Sequence, residues 1–378
     1  MGVYFSQTRK REGASRTVNG TDRTWAEINL NAIRHNCKAV VDSVGMHTGV
    51  MAVIKANAYG HGAIPVAKAC IEAGARWLAV ATGEEALELR DAGIETPVLV
   101  LGSPGERTAE LVDARVVQTV HSLESLERIE RTCGHVAEVH LKLETGMNRI
   151  GVKPGLELES LIRRLSYCRH VRVSGVFTHF ASAEDAEAVR RQLDRFYQGL
   201  RQLEKAGLGG LTVHAASSAA ALLYPESRFD LVRPGIMLYG YHPCEQTKPL
   251  IQLRPALTWK AAVVQVKRVE PGDKISYGGI YTAATPRVVA TVAVGYADGY
   301  RRSLSGKAFV LANGLRAPVL GRVCMDYLMV DVTDCGEPDY VVLLGPSLPA
   351  DYHAALLDSI PYEVLTSISP RVTRVYVE

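Results

Sequence analysis

The sequence predicts an α/β protein: a TIM-type (β/α)8 barrel followed by a mainly β C-terminal domain. Its 378 residues exceed one average domain but accommodate a barrel of about 250 residues and a smaller module. Short apolar runs alternate with longer amphipathic stretches from about residue 50 to 240, which is typical of βα units around a parallel sheet. After Tyr239 the helical periodicity nearly vanishes, so a different architecture is expected there.

Eight candidate strands account for the barrel. They span residues 51–55, 77–81, 98–101, 116–120, 138–143, 173–178, 211–214 and 231–233. Helical patterns lie between them, for example over residues 84–92 and 185–206. Eight strands separated by helices favour a closed barrel over an open, doubly wound sheet.

The rest of the chain divides into two further segments. Val-rich runs broken by turn sequences at residues 271–273, 313–314 and 337–339 predict a mainly β domain over residues 246–378, after a barrel over residues 24–245. Residues 1–23 are basic, rich in Ser, Thr and Gly, and without apolar periodicity. We expect a disordered native tail, a linker from a longer protein or an expression remnant.

Composition narrows the class of protein. Lys and Arg number 43 and Asp and Glu 40, so the net charge offers no reason to expect nucleic-acid binding. The seven cysteines are scattered and never spaced as C-x-x-C, which favours neither a disulfide framework nor a metal site. We expect no metal, no membrane contact and a cytoplasmic location, because neither an 18-residue apolar run nor a signal peptide is visible.

Lys55 is the most informative residue. It lies in the run AVIKANAYGHG, residues 52–62, where an apolar strand gives way to a small-residue turn and a helix. Desolvation in a pocket lowers the pKa of an ammonium and frees the lone pair that attacks an aldehyde to form a Schiff base. Gly60 and Gly62 permit close approach of a ligand, and Tyr59 could reach a phosphate. For Lys55 alone, a packed stem with its charge in water is an equally good interpretation.

The run resembles the cofactor-lysine segment of the alanine racemase family, which binds pyridoxal 5'-phosphate (PLP). An eleven-residue match is far more specific than a lone glycine-rich loop, and the resemblance extends over residues 24–378. It implies a PLP-binding barrel with Lys55 as the cofactor lysine, and a β domain that the strand at residues 24–30 joins. It also implies a small amino acid as substrate and a homodimer with shared active sites.

Polar residues recur where the predicted barrel strands end, which is where barrel enzymes build their active sites. Each alone has an equally good structural interpretation, as a surface cation or a satisfied core histidine. Their recurrence at successive strand ends favours a shared site. These residues are Lys55, Lys142, Arg149, His179, Ser217, Ser218 and Arg233.

The resemblance assigns cofactor contacts to several of them. Ser218, Tyr59 and the amides of Gly235 and Ile236 are implied to hold the phosphate, since hydroxyls and loop N–H groups suit an anion. Tyr376 is included among the cofactor-binding residues. Arg149 is implied to contact the phenolic oxygen of PLP and the carboxylate of the substrate.

The resemblance sets Arg233 against the pyridine nitrogen of PLP. An arginine keeps its proton, so the ring stays unprotonated and is a weaker electron sink than it would be beside a carboxylate. A weaker sink disfavours decarboxylation and transamination while permitting proton exchange at Cα. Arg233 therefore favours racemisation.

Racemisation needs an acid/base group on each face of the planar Cα carbanion. Lys55 is one, and Tyr277, in a segment that resembles the catalytic tyrosine region of the family, is implied to be the other. A phenol has a pKa of about 10, so it needs a neighbour that stabilises phenolate. The resemblance gives that role to His179, bridging Tyr277 and Arg233. Without the motif, a half-buried strand tyrosine would be the better interpretation of Tyr277.

Further residues are implied to act across the dimer. Lys142 matches a lysine that is often carbamylated and would then attract Arg149 rather than repel it. The residues implied to reach the partner's site, the last three of them contacting substrate, are Tyr277, Tyr296, Met325 and Asp326.

One position departs from the family. Where the family commonly reads Ile-Ser-Tyr-Arg-Val, this chain has Pro370 in place of the tyrosine. Proline offers neither a hydroxyl nor bulk, so the phosphate loses a donor and the pocket near the substrate side chain is expected to enlarge. Ser217, where asparagine is common, is a milder change. Serine becomes a plausible substrate beside alanine.

The leading hypothesis is PLP-dependent racemisation of alanine. A serine racemase or broader-specificity racemase is the nearest alternative, and serine/alanine racemases of glycopeptide resistance also change this tyrosine. A barrel-type PLP decarboxylase would place an acidic residue where Arg233 lies. A PLP-carrier protein would need neither the β domain nor Tyr277.

Overall fold

A computed structural model of the protein describes residues 23–103, 105–132 and 134–378. The predicted tail therefore lies outside the described residues except for Arg23, and Cys133 also lies outside them. Arg23 makes an ion pair with Asp298, with 2.8 Å between Nη1 and Oδ1.

The N-terminal domain is a closed (β/α)8 barrel. β1 (Thr24–Asn29) and α1 (Leu30–Val44) precede it. Its strands are β2 (Gly49–Val53), β3 (Trp77–Val80), β4 (Val98–Val100), β5 (Gln118–Val120), β6 (Ala137–Lys142), β7 (Val171–Phe177), β8 (Thr212–Ser217) and β9 (Leu231–Arg233). The other helices of this part are α2 (Lys55–Tyr59), α3 (Ala63–Glu72), α4 (Gly83–Asp91), α5 (Thr108–Asp113), α6 (Leu123–Thr132), α7 (Leu156–Leu165), α8 (Ala186–Lys205) and α9 (Ser218–Leu223).

The strands are parallel in the order β4-β3-β2-β9-β8-β7-β6-β5. A parallel bridge between Leu99 and Val117 closes the ring between β4 and β5. The predicted barrel is confirmed, and each strand lies within about three residues of its predicted bounds. The whole of β2 and β4 is buried, as expected for barrel strands covered by helices on the outside and by side chains within.

Helix α8 shows why the sequence forms this layer. Asp185 caps it by accepting hydrogen bonds from the backbone N–H groups of Glu187 and Ala188. Its buried residues include Val189, Leu193 and Phe196, at the three- and four-residue spacing of one helix face. That face packs on the barrel, and the charged face meets solvent.

The C-terminal domain is mainly β, as predicted. Its elements are β10 (Leu257–Val269), β11 (Lys274–Ile275), β12 (Tyr281–Thr282), β13 (Arg287–Val292), β14 (Phe309–Ala312), β15 (Leu315–Leu320), β16 (Leu328–Asp331), β17 (Tyr340–Leu344), α10 (Ala350–Leu357), α11 (Pro361–Thr366) and β18 (Thr373–Val377). The large sheet runs β13-β16-β15-β14-β17-β10-β1-β18, and β10 also pairs with β13. β1 is thus a strand of this sheet, antiparallel to β10 and parallel to β18.

Two helices of this domain have no counterpart in the expected elements. α10 and α11 are eight and six residues long, too short to show a clear periodicity. Pro361 opens α11 at a position that needs no N–H donor. Among the described residues no helix combines the length and the apolar character needed to cross a membrane.

Candidate active site

A cavity of about 800 Å³ lies at the C-terminal ends of the barrel strands, between the barrel and α11. This is the end at which barrel enzymes carry their active sites. The residues with polar roles in the sequence analysis converge there. Those lining it are Lys55, Tyr59, Lys142, Arg149, His179, Ser217, Ser218, Arg233, Gly235 and Ile236.

Lys55 enters the cavity from the end of β2. Burial and the nearby charge of Arg149 lower the pKa of its amine, while the carboxylate of Glu85 opposes that effect. A depressed pKa raises the fraction of neutral amine at physiological pH. Lys55 thus has the property that a carbonyl-binding lysine needs.

The helix that follows Lys55 is wound left-handed. Ala56, Asn57, Ala58 and Tyr59 have φ values of 51–52°, a conformation that costs a non-glycine residue about 1–2 kcal/mol. Four such residues in succession are maintained only where the surrounding contacts over-determine them. The outcome is that both Lys55 and Tyr59 line the same cavity.

Gly235, Ser218 and Tyr59 form a cradle at one end of the cavity. The Gly235 N–H donates a hydrogen bond of 2.9 Å to the Ser218 hydroxyl. A Cβ on residue 235 would lie 2.6 Å from the Tyr59 hydroxyl oxygen, closer than real contacts allow. Only glycine lets the Tyr59 hydroxyl lie this close to the backbone of residue 235, and the groups gathered there are hydroxyls and backbone N–H donors, which suit an anion.

Arg233 is the buried cation of the site. Its side chain is only 3% exposed, and Nη2 donates to the carbonyl oxygens of Thr178 and Ala215 over 2.7 and 2.9 Å. Nη2 also lies 3.2 Å from His179 Nδ1. Burial lowers the pKa of Arg233 to about 9, so the guanidinium stays charged at neutral pH and its direction is set by the backbone.

Two buried histidines, His214 and His140, form a chain of hydrogen bonds that begins at Arg233. Neither was predicted from the sequence to be part of the site. Arg233 Nη1 donates to His214 Nδ1 over 2.8 Å, and His214 Nε2 lies 2.8 Å from His140 Nδ1. Burial and the Arg233 charge hold the pKa of both imidazoles well below the usual range, so both are neutral. His140 lies within β6 and His214 within β8. The apolar residues around them in these strands give no sign that the two imidazoles form a buried pair.

Lys142 is the second buried lysine, 3% exposed at the end of β6. Burial lowers the pKa of its amine to about 7, and the charges of Arg233 and Arg149 act in the same direction against Glu144. Its Nζ donates to the Leu143 carbonyl oxygen over 3.2 Å. An amine so placed is largely neutral just above pH 7.

The predicted residues of the C-terminal domain lie outside the cavity of their own chain. Tyr277, 71% exposed, and the likewise exposed Tyr296 and Met325 are on three neighbouring loops. The Ser276 hydroxyl bonds the Arg322 carbonyl over 2.6 Å, and the Tyr296 N–H bonds the Cys324 carbonyl over 3.0 Å. Large exposed apolar side chains gathered on adjoining loops are typical of an interface.

Asp326 belongs to the same loops but is held by its own chain. Its carboxylate accepts a hydrogen bond of 2.8 Å from Arg371, which also lies 3.5 Å from buried Asp298. Because Asp298 accepts from the Gly295 N–H, this pairing braces the loops that carry Tyr296 and Asp326.

Tyr376 is predicted to bind the cofactor, and that role stays a prediction. It is not among the residues that line the cavity, and its hydroxyl instead lies against Gly62. Strand pairing explains this position, because the β1–β18 register holds Tyr376 beside Ile28 in the large sheet of the C-terminal domain. Pro370 is likewise exposed and absent from the lining.

Helix α11 forms one wall of the cavity, to which neither Tyr376 nor Pro370 contributes. Tyr362, Glu363 and Thr366 line the cavity, and the Tyr362 ring centroid lies 5.9 Å from that of Tyr59. Burial raises the pKa of Tyr362 to about 12. Apart from the proline that starts the helix, the sequence carries no signal for this wall.

Among the described residues no group of three or more His, Cys, Asp or Glu side chains could hold a metal ion.

Comparison with known proteins gives concordant matches over both domains. The family profile "Alanine racemase, N-terminal domain" matches residues 28–243, and "Alanine racemase, C-terminal domain" matches residues 256–376. The alanine racemase of Desulforamulus reducens is 45% identical over 365 residues, covering 93% of this chain and 98% of that protein. That of Symbiobacterium thermophilum is 46% identical over 372 residues, covering 95% and 98%.

Solved structures agree. The alanine racemase of the D-cycloserine-producing Streptomyces lavendulae has a TM-score of 0.89 at 37% identity, covering 95% of this chain and 98% of that one. The alanine racemase of Bacillus anthracis with bound L-Ala-P has a TM-score of 0.90 at 37% identity, covering 94% and 95%. The chain therefore belongs to the alanine racemase family, whose reaction makes its members isomerases.

Proposed function

We propose that the protein interconverts L- and D-alanine, using PLP held in the cavity and a base from each of two subunits. The observation that carries the proposal is the convergence of Lys55, the cradle at Gly235 and the buried Arg233 in one cavity. The names and the coverage of the relatives support alanine as the substrate.

The residues present fit PLP. The Lys55 amine suits the aldehyde carbon, and the cradle formed by Gly235, Ser218 and Tyr59, with the Ile236 amide beside it, suits the phosphate. Arg233 suits the pyridine nitrogen. When bound, PLP supplies an electron-withdrawing ring that makes the Cα–H bond of an amino acid acidic.

Arg233 limits how strongly that ring withdraws electrons. Its carbonyl and imidazole partners are neutral, so the proton stays on the guanidinium rather than moving to the pyridine. This disfavours the decarboxylase alternative, which calls for an acidic residue at this place. It also favours a reaction that only removes and returns a proton.

Two bases complete the reaction. Lys55 removes or returns the Cα proton on one face of the substrate, and Tyr277 of the partner subunit acts on the other. Tyr277 is exposed and absent from the cavity of its own chain, which supports a homodimer in which each site uses both chains. A PLP-carrier protein would need no such exposed tyrosine.

Arg149 is the candidate partner for the substrate carboxylate, because it is a cation that lines the cavity. Serine is a second candidate substrate, since a cavity rejects one added hydroxyl only weakly. Tyr296, Met325 and Asp326 of the partner subunit are proposed to shape the entrance. A cytoplasmic location stays a prediction.

The proposal is tested by incubating the protein and PLP with L-alanine in deuterated water. We expect D-alanine carrying deuterium at Cα, because a proton removed on one face and returned on the other is drawn from solvent. Chiral chromatography with mass spectrometry measures it, and L-serine is run in parallel for substrate range. If neither exchange of the Cα proton nor racemisation occurs with either amino acid, the assignment is overturned.

Lys142 is predicted to carry a carbamate. With its pKa near 7, the neutral amine predominates above neutrality and can add to carbon dioxide, releasing one proton to solvent. The product places a negative charge beside Arg149 and Arg233, converting repulsion to attraction. Activity should therefore fall below pH 7 in step with loss of the carbamate.

Crystallographic density at Lys142 Nζ, with and without bicarbonate in the buffer, measures this directly. Extra carboxylate density that depends on bicarbonate is expected. A bare amine in crystals grown with excess bicarbonate at pH 8 would exclude the modification.

A further inference from the structure

The left-handed helix α2 has a specific support from outside its own segment. Ala56 to Tyr59 all have positive φ, so the chain must be held here against its intrinsic preference. Within the segment, Ala58 N–H bonds the Ile54 carbonyl and Gly60 N–H bonds the Ala56 carbonyl. These bonds exist in either hand of helix and do not select the left-handed one.

Glu85 makes the outside contact. Its Oε1 accepts a hydrogen bond of 2.6 Å from the N–H of Ala56, the residue directly after Lys55. The Asn57 side chain joins the segment to the start of α3, because its Oδ1 accepts from the Ala63 N–H over 2.7 Å. A carboxylate accepting a backbone N–H is a charge-assisted bond, stronger than a neutral one.

The two oxygens of Glu85 serve different elements. Oε2 accepts from the N–H groups of Ala81 and Thr82 over 2.7 and 3.3 Å, and Thr82 Oγ1 accepts from the Glu85 N–H, which completes the capping box of α4. A capping box needs only one carboxylate oxygen. The second, Oε1, is left to hold the segment that carries Lys55.

We propose that Glu85 is a positioning residue that keeps α2 left-handed, so that the Lys55 amine and the Tyr59 hydroxyl face one cavity. The inference rests on the proposed function, in which those two groups hold the cofactor. Glu85 itself does not line the cavity and acts through the backbone of Ala56. A carboxylate is required because both of its oxygens must accept hydrogen bonds.

Glu85→Gln separates this role from capping. An amide has one acceptor oxygen. The cap offers that oxygen two N–H donors, Ala81 and Thr82, so the NH₂ group is left facing the Ala56 N–H, a donor against a donor. We expect the affinity of the apoprotein for PLP to fall at least about tenfold, and kcat at saturating PLP to fall about tenfold to a hundredfold, since a misplacement near 1 Å has that cost. KM for alanine should stay within about threefold, because uniform substrate binding is unaffected.

Thr82→Ala is the matched control. It removes the capping hydroxyl of the same helix, and within the described part of the chain that hydroxyl bonds Glu85 N–H and no group of α2, so the melting temperature should fall while PLP affinity and kcat are retained. Glu88→Ala, an exposed change one turn along α4, should alter none of these quantities.

Glu85→Gln behaving like Thr82→Ala, with a lower melting temperature alone, would show that Glu85 only caps α4 and would overturn the inference. That result leaves the proposed function standing, because the wild type still binds PLP and racemises alanine. A wild-type protein that binds no PLP would overturn both. Hydrogen exchange of the backbone amides of residues 56–62 in the apoprotein gives a readout independent of activity, and faster exchange in Glu85→Gln alone is expected.

Discussion

Replacing Tyr277 with phenylalanine is expected to lower kcat/KM for racemisation by about 10²–10⁴-fold, the usual contribution of a positioned acid/base group. The two enantiomers have equal free energies in water, so the loss must be the same in both directions. The side chain is exposed in its own chain, so folding should be unaffected. Circular-dichroism melting checks stability, and coupled assays with each enantiomer measure the rates.

Exchange of the Cα proton shows which face Tyr277 serves. In deuterated water, Tyr277→Phe should still exchange the Cα proton of the enantiomer that faces Lys55, without inverting it. Exchange from the other enantiomer should fall with racemisation. Equal small effects on both enantiomers would leave Tyr277 without its assigned role.

Mixing two inactive variants tests whether each site draws on both subunits. Lys55→Ala and Tyr277→Phe, unfolded together and refolded in equal amounts, form hybrid dimers in half of the assemblies. Each hybrid has one site with both bases intact, so about a quarter of wild-type specific activity should return. If both bases of a site came from one chain, the mixture would stay as inactive as its parents.

Replacing Arg233 with glutamate is the second change expected to have a large effect. A carboxylate beside the pyridine nitrogen would share a proton with it and turn the ring into a stronger electron sink. Racemisation should fall by about 10²-fold or more, because the site geometry set by this residue is also lost. A new reaction should appear in which the amino group passes to the cofactor and a 2-oxo acid is released.

The 2-oxo acid is measured with a dehydrogenase assay, and the amine form of the cofactor by mass spectrometry. Arg233→Lys retains a cation and should racemise slowly without making either product. Neither lysine nor glutamate reproduces the guanidinium fork, so the Thr178 and Ala215 carbonyl oxygens lose hydrogen-bond donors in both variants. The melting temperature of both variants should therefore be lower than that of the wild type. A glutamate variant that makes no 2-oxo acid would contradict the role given to Arg233.

The barrel could be predicted from the sequence because short, mainly apolar strand segments alternate regularly with longer helical stretches. β9 lies at its predicted bounds, residues 231–233. The strand ends then placed Lys55, Lys142 and Arg233 at one end of the barrel, since parallel strands all finish on the same side. Short elements such as α11 escaped prediction because six residues carry no periodic signal.

The segment of residues 52–62 around Lys55 was enough to show that this chain resembles a PLP-binding family. The residues that form this part of the site are close together in the sequence, so they can be recognised without the tertiary structure. The handedness of α2, the brace from Glu85 and the support of Arg233 by His214 and His140 were decided only by the tertiary structure. The last two are contacts between segments far apart in the chain, and the first depends on such contacts. Local sequence does not indicate which distant N–H group or imidazole a side chain meets. The same holds for Tyr376, which is paired beside Ile28 of β1 and is not among the residues that line the cavity.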